Sequence, residues 1–155
     1  MEKFNFKHNA HTSVEQSRKL LEMGLKPETA DMHATNMSFK GKNYQDKWTF
    51  GMMPYTEVKE SWEKWAKDSC WELIPAWSFT RLKEILPRII FDNDGNEYEL
   101  TMFGDDITYL RILYYDTADS LFSVDCPDIY DSIIWMIDWL KSSGHIKECK
   151  EYFNE

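Results

Sequence analysis

Residues 126–144, CPDIYDSIIWMIDWLKSSG, are the stretch that most limits what this chain can become. Pro127 and Asp128 mark a helix start and Gly144 a helix exit, because proline suits the first turn and glycine accepts the left-handed geometry in which helices end. Between those marks lie more apolar residues than one stripe can hold. Ile129, Ile133, Met136, Ile137 and Leu140 make one helical face, and Ile134, Trp135 and Trp139 carry it well around the cylinder. A helix this apolar is buried on more than one side. It is expected to be the main core element. Its surplus, Trp135 and Trp139, is a candidate protein interface, a subunit contact between two copies of the chain being one form of it.

The segment before that helix changes period from 3.6 to 2. Strands are expected near Arg88–Phe91, Glu97–Phe103, Ile107–Tyr115 and Leu121–Asp125, separated by the polar turns Asp92–Asn96, Gly104–Asp106 and Asp116–Ser120. Connections this short join antiparallel neighbours, so the four strands make a meander. Tyr98, Leu100, Met102, Leu110, Ile112, Phe122 and Val124 fall on one face, which helices must cover. A three-residue loop at Gly104–Asp106 sets Glu99 opposite Arg111 and Leu100 opposite Leu110, since alternation forbids an odd shift.

Towards the N-terminus, residues 1–11 show no period and read as a flexible arm. Thr12 and Ser13 both fit a capping box, with Glu15 and Gln16 respectively, and Leu20, Leu21 and Met23 supply the apolar side of the first helix up to Gly24. Pro27 opens a short helical turn through Asp31. Two strands, about Thr35–Phe39 and Lys47–Met52, flank Gly41-Lys42-Asn43 as a hairpin. Thr56–Lys67 is helical, with Val58, Trp62 and Trp65 at i, i+4 and i+7, and Ser78 caps another helix that Pro87 ends. Lys147–Phe153 adds a last short turn. With no internal repeat or linker, the expectation is one α+β domain over residues 1–155, helices packed on one face of an antiparallel meander.

The pieces Glu15–Ala34, Ile74–Pro87 and Ile133–Ile146 resemble small uncharacterised proteins of gut Bacteroidetes, their prophages and mobile elements, in which a "PAWS"-like capped helix precedes a meander and an apolar helix ends in glycine. The resemblance covers about a third of the chain and lies in caps and core positions. It implies a fold and no catalytic residue. Against that pattern, residues 56–70 read as a helical insertion.

Charge divides the chain. Residues 1–90 hold fourteen Lys and Arg against twelve Asp and Glu, while residues 91–155 hold four against fifteen. From Phe91 to Leu140 there are twelve acids and one base, Arg111. Such a surface repels phosphate, so direct nucleic-acid binding through this half is not expected. Asp92, Asp94, Asp116 and Asp119 are a candidate acidic partner surface; because their turns share one end of the meander and Asp105–Asp106 the other, the acids are split rather than drawn into one ridge. No stretch approaches the roughly 20 apolar residues of a membrane span. Residues 1–30 lack a signal-like apolar run, and three widely spaced cysteines, Cys70, Cys126 and Cys149, suit a reduced cytoplasmic protein.

Motifs for chemistry are thin. Asp92-Asn93-Asp94-Gly95-Asn96 begins like a calcium loop, but Glu97 stands where glycine is required and Phe103 where a bidentate Glu is required, so a hairpin turn is the better reading. His8, His11 and His33 do not make a zinc set, and no G-x-S-x-G or phosphate loop occurs. Nothing here assigns a catalytic, cofactor-binding or metal-ligating residue. Seven tryptophans exceed what one small core buries, which adds Trp62 and Trp65 to the candidate protein contacts. The leading expectation is a non-enzymatic accessory protein of a phage or mobile element that binds another protein. An acidic nucleic-acid mimic that inhibits a host DNA-binding protein, and a hydrolase using paired carboxylates, are the alternatives.

Overall fold

The structure is a computed structural model describing residues 10–36, 48–65, 72–105, 109–116, 120–126 and 128–154. Helices and antiparallel sheets make an α+β fold, and the chain divides into two compact units, Ala10–Arg81 and Leu82–Glu155.

In the first unit, Ser13 caps helix α1, Val14–Glu22. Its hydroxyl accepts from the Gln16 amide at 3.1 Å while the Gln16 side chain accepts from the Ser13 amide at 2.9 Å, so the box closes at Ser13 rather than Thr12. Gly24, with φ of 89°, takes the chain out of the helix, and Pro27–Thr29 forms a single 3-10 turn. Three strands follow in the spatial order β2-β1-β3: β1 Met32–Asn36, β2 Trp48–Gly51 and β3 Glu72–Ala76, all antiparallel. β1 begins three residues earlier than its sequence suggests, and residues 37–47, including the turn expected at Gly41–Asn43, lie outside the described residues. Sequence patterning assigns no strand to β3, because Pro75 cannot donate to a ladder; it is accommodated here at a sheet edge, opposite His33. Helix α2, Tyr55–Trp65, contacts β1, β3 and the 3-10 turn. Helix α3, Phe79–Ile85, begins in this unit and runs on into the next; it is capped by Ser78, whose hydroxyl accepts from the Arg81 amide at 3.2 Å.

Trp77 is fully buried and ties this unit together. Its indole donates to Thr29 Oγ1 at 3.0 Å and its amide to Thr12 Oγ1 at 3.0 Å, while Thr12 Oγ1 also meets Ser17 Oγ at 2.8 Å. Asp31 accepts from the Ser78 amide and hydroxyl, and Arg81 Nε donates to the Thr29 carbonyl at 2.7 Å. With every member satisfied, such a network fixes one packing arrangement.

The second unit is the expected meander: β4 Ile89–Phe91, β5 Glu97–Asp105, β6 Tyr109–Tyr115 and β7 Ser120–Cys126, in that order, each antiparallel to the next. Register places Ile90, Tyr98, Leu100, Met102, Ile112, Tyr114, Phe122 and Val124 on one face. Helix α4, Ile129–Ser142, packs against β6 and β7. Asp128 caps it through two amides, Tyr130 at 2.8 Å and Asp131 at 3.1 Å, and Gly144 follows at φ of 82°. Residues 145–152 are a 3-10 segment that contacts α4 and β4. Tyr130, Ile133, Ile134, Met136, Ile137 and Leu140 are all buried, so the breadth of α4's apolar surface is used within the fold.

The register of the central hairpin corrects the expected one. β5 and β6 run further before they connect, so Phe103 stands opposite Arg111 and Glu99 opposite Tyr115; Leu100 faces Tyr114 instead of Leu110. Gly104 and Asp105 belong to the strand, and residues 106–108 lie outside the described residues. The shift is even, four positions, and therefore preserves both faces. Glu99 and Arg111 do share a face but are roughly 13 Å apart along it. Glu99 pairs with Arg88 instead, at 3.3 Å.

Candidate functional site

Most of α4 faces inward, and what it turns to solvent is short. Trp135 is 58% exposed, among residues of which Ile133, Met136 and Ile137 are wholly buried. Asp131 and Asp138 lie four residues before and three after it, so the three side chains share one stripe of the helix, a partly exposed carboxylate at one end and an exposed one at the other. The neighbouring Trp139 does something different. Its ring stacks on Phe122 at 4.6 Å with an interplanar angle of 4°, and lies 6.0 Å from Tyr114 and 5.3 Å from His145. Of the surplus apolar residues on this helix, Ile134 and Trp139 are taken up by packing. Trp135 is not.

The opposite side of the same sheet is the second open surface. Register aligns Ile89 with Glu99 and Tyr115 across three strands, and Phe91 with Glu97. Ile89 is 37% exposed, Phe91 48% and Tyr115 42%. Sequence reading did not single these out, because Ile89-Ile90-Phe91 is a continuous apolar run with no alternation to show that only Ile90 points inward.

Asp92 closes the β4–β5 hairpin. One of its carboxylate oxygens accepts from the amides of Asp94 at 2.9 Å and Asn96 at 2.8 Å; the other accepts from the Asn96 side chain at 2.8 Å and the Tyr98 hydroxyl at 3.3 Å. Gly95 completes the turn at φ of 83°. The Asn96 side-chain bond, followed by the amides, holds the Asp92 carboxyl below its ordinary range. The segment is thus a hairpin turn, and Asp92 is spent on holding it. Asp94 is exposed beside it, and Asp116, at the end of β6, falls at the same end of the sheet; Asp119 lies outside the described residues. Asp105 falls at the other end.

In the first unit, Trp62 is half-buried on α2, Trp65 is the last residue of that helix, and Met52 and Met53 are exposed at 86% and 54%. His11 stacks on Phe50 at 3.8 Å, and the His33 ring nitrogen Nδ1 bonds the Met53 carbonyl at 2.9 Å, so these two imidazoles are engaged in packing and hydrogen bonding. Among the described residues no three His, Cys, Asp or Glu side chains gather to hold a metal ion, and no helix is long and apolar enough to cross a membrane. Of the four candidate tryptophans, Trp135 and Trp139 belong to one unit and Trp62 and Trp65 to the other.

No family model, curated protein or solved structure matches the chain.

Proposed function

We propose that this protein is a non-enzymatic binding module, an accessory protein of a phage or mobile element, whose contact with another protein is centred on Trp135. The observation that carries the reading is a tryptophan 58% exposed on the helix that otherwise builds the core. Tryptophan is among the residues most enriched at the centres of protein interfaces, where its large ring gains most from losing water. At 58% exposure the residue leaves on the order of 140 Å² open to water, and covering it contributes roughly 3 kcal/mol. Carboxylates at Asp131 and Asp138 suit a rim and favour a partner of opposite charge. Residues 82–155 hold sixteen acids against six bases, which opposes pairing of two copies through this unit and favours a different protein.

The test is affinity capture from a host lysate using two baits, the wild type and Trp135→Ala, with thermal unfolding to verify that both are folded. A partner retained by the first and lost by the second supports the reading. Equal retention by two equally stable baits rejects it.

A further inference from the structure

We infer that the open face of the four-stranded sheet, on the side away from α4, docks a cationic extended segment of a partner protein, one with Lys or Arg at every second position. The face is built in columns. Ile89 and Phe91 form an apolar column on β4; Glu99 and Glu97 form an acidic column beside it on β5, each carboxylate next to one of those side chains; Leu113 and Tyr115 continue the apolar surface on β6. Glu97 and Glu99 are both exposed and sit two residues apart on one strand, about 7 Å, which is the spacing of alternate side chains on any extended chain. A segment lying along this column sets one cation over each glutamate. The aliphatic stem of the cation over Glu99 then covers Ile89, the next alternate side chain of the segment falls over Thr101 beside Leu113, and the cation heads come within reach of the Phe91 and Tyr115 rings, whose faces attract cations.

Charge decides what the occupant is. Asp94 and Asp116 add negative charge at the same end of the sheet. Arg88 pairs with Glu99 at 3.3 Å, but the Arg88 side chain is 84% exposed, and so open an ion pair yields to a competing cation. Arg111 stands opposite Phe103, roughly 13 Å along β5 from Glu99, beyond the proposed contact. The same face of a second copy would bring another acidic surface against this one, so a basic partner fits the face and face-to-face self-docking does not.

The experiment uses the full chain, labelled for NMR, and two synthetic twelve-residue peptides, one alternating Lys and Val and the other Glu and Val. The Lys peptide is expected to bind below about 1 mM, to shift the resonances of Ile89, Phe91, Leu113 and Tyr115, and to lose about tenfold in affinity between low and high salt. Glu97→Gln combined with Glu99→Gln is expected to weaken it about tenfold, and Phe91→Ser severalfold, with thermal unfolding verifying the fold of each variant. No binding of the Lys peptide by about 1 mM overturns the proposal, as does equal binding of the Glu peptide. Shifts confined to Trp135 and its neighbours, or spread evenly over every acidic residue, also overturn it while leaving the role of Trp135 to its own test.

Discussion

Tyr114→Phe separates packing from hydrogen bonding in the core of the acidic unit. Tyr114 is fully buried, and its hydroxyl donates to the Pro87 carbonyl at 2.7 Å. Phenylalanine keeps the ring in place and leaves that buried carbonyl without its donor, at a cost of about 1–3 kcal/mol. The second consequence is a pH signature. Burial, with the Cys149 thiol nearby, pushes the phenol well above its ordinary value of 10.0. The folded protein therefore holds the Tyr114 proton more tightly than the unfolded chain does. That contribution is fully present below about pH 10 and is lost above it with a slope approaching about 1.4 kcal/mol per pH unit. Urea unfolding of both proteins between about pH 7 and pH 11 measures it, and the other tyrosines, common to both, cancel. The stability gap should be about 1–3 kcal/mol at neutral pH and narrow by about 1.4 kcal/mol at pH 11. A gap constant over that range would falsify the assignment of Tyr114 as a buried, hydrogen-bonded phenol.

Other perturbations probe other parts of the account. Ile137→Ala, at a wholly buried position on α4, should cost about 2–5 kcal/mol by urea unfolding, and a loss under 1 kcal/mol would remove α4 from the centre of the core. Asp92→Ala should loosen the β4–β5 turn, seen as faster amide exchange at Asp94 and Asn96. Because the folded carboxyl is held low, wild-type protection should be present above about pH 4 and fade as pH falls through the lowered value, with no such fading in the variant. Gly51→Ala should expel the His33 ring, since a Cβ there would lie 2.3 Å from His33 Cε1; an unchanged His33 side-chain NMR spectrum would contradict the observed β1–β2 packing.

Where sequence alone sufficed, a local device determined the outcome. A capping box at Thr12 or Ser13, the Asp128 cap and the glycines at 24, 95 and 144 act within a few residues, so their marks are legible without knowing the fold, although only the folded helix chooses Ser13 over Thr12. Alternation in the meander likewise sorted its two faces correctly. It did not set the offset, because an even shift leaves every face unchanged, and Gly104-Asp105 looks like a turn while serving as strand. β3 was hidden by Pro75, which is unwelcome in a central strand but harmless at an edge. Periodicity likewise could not rank the surplus residues on α4. Trp139 finds Phe122 only once β7 is in place, and the exposure of Trp135 follows from what the sheet leaves uncovered.

The most direct test of the central claim is 19F NMR of the chain labelled with 5-fluorotryptophan, recorded with and without the captured partner, the Trp135 resonance being identified by Trp135→Phe. In the free protein that resonance should show the largest solvent isotope shift between H2O and D2O of the tryptophans in the acidic unit, with Trp139 clearly smaller, matching its stacking on Phe122. In the complex the Trp135 shift should collapse while that of Trp139 stays as it was. A Trp135 resonance that keeps its full solvent shift when the partner is bound would show that the exposed indole is not the contact.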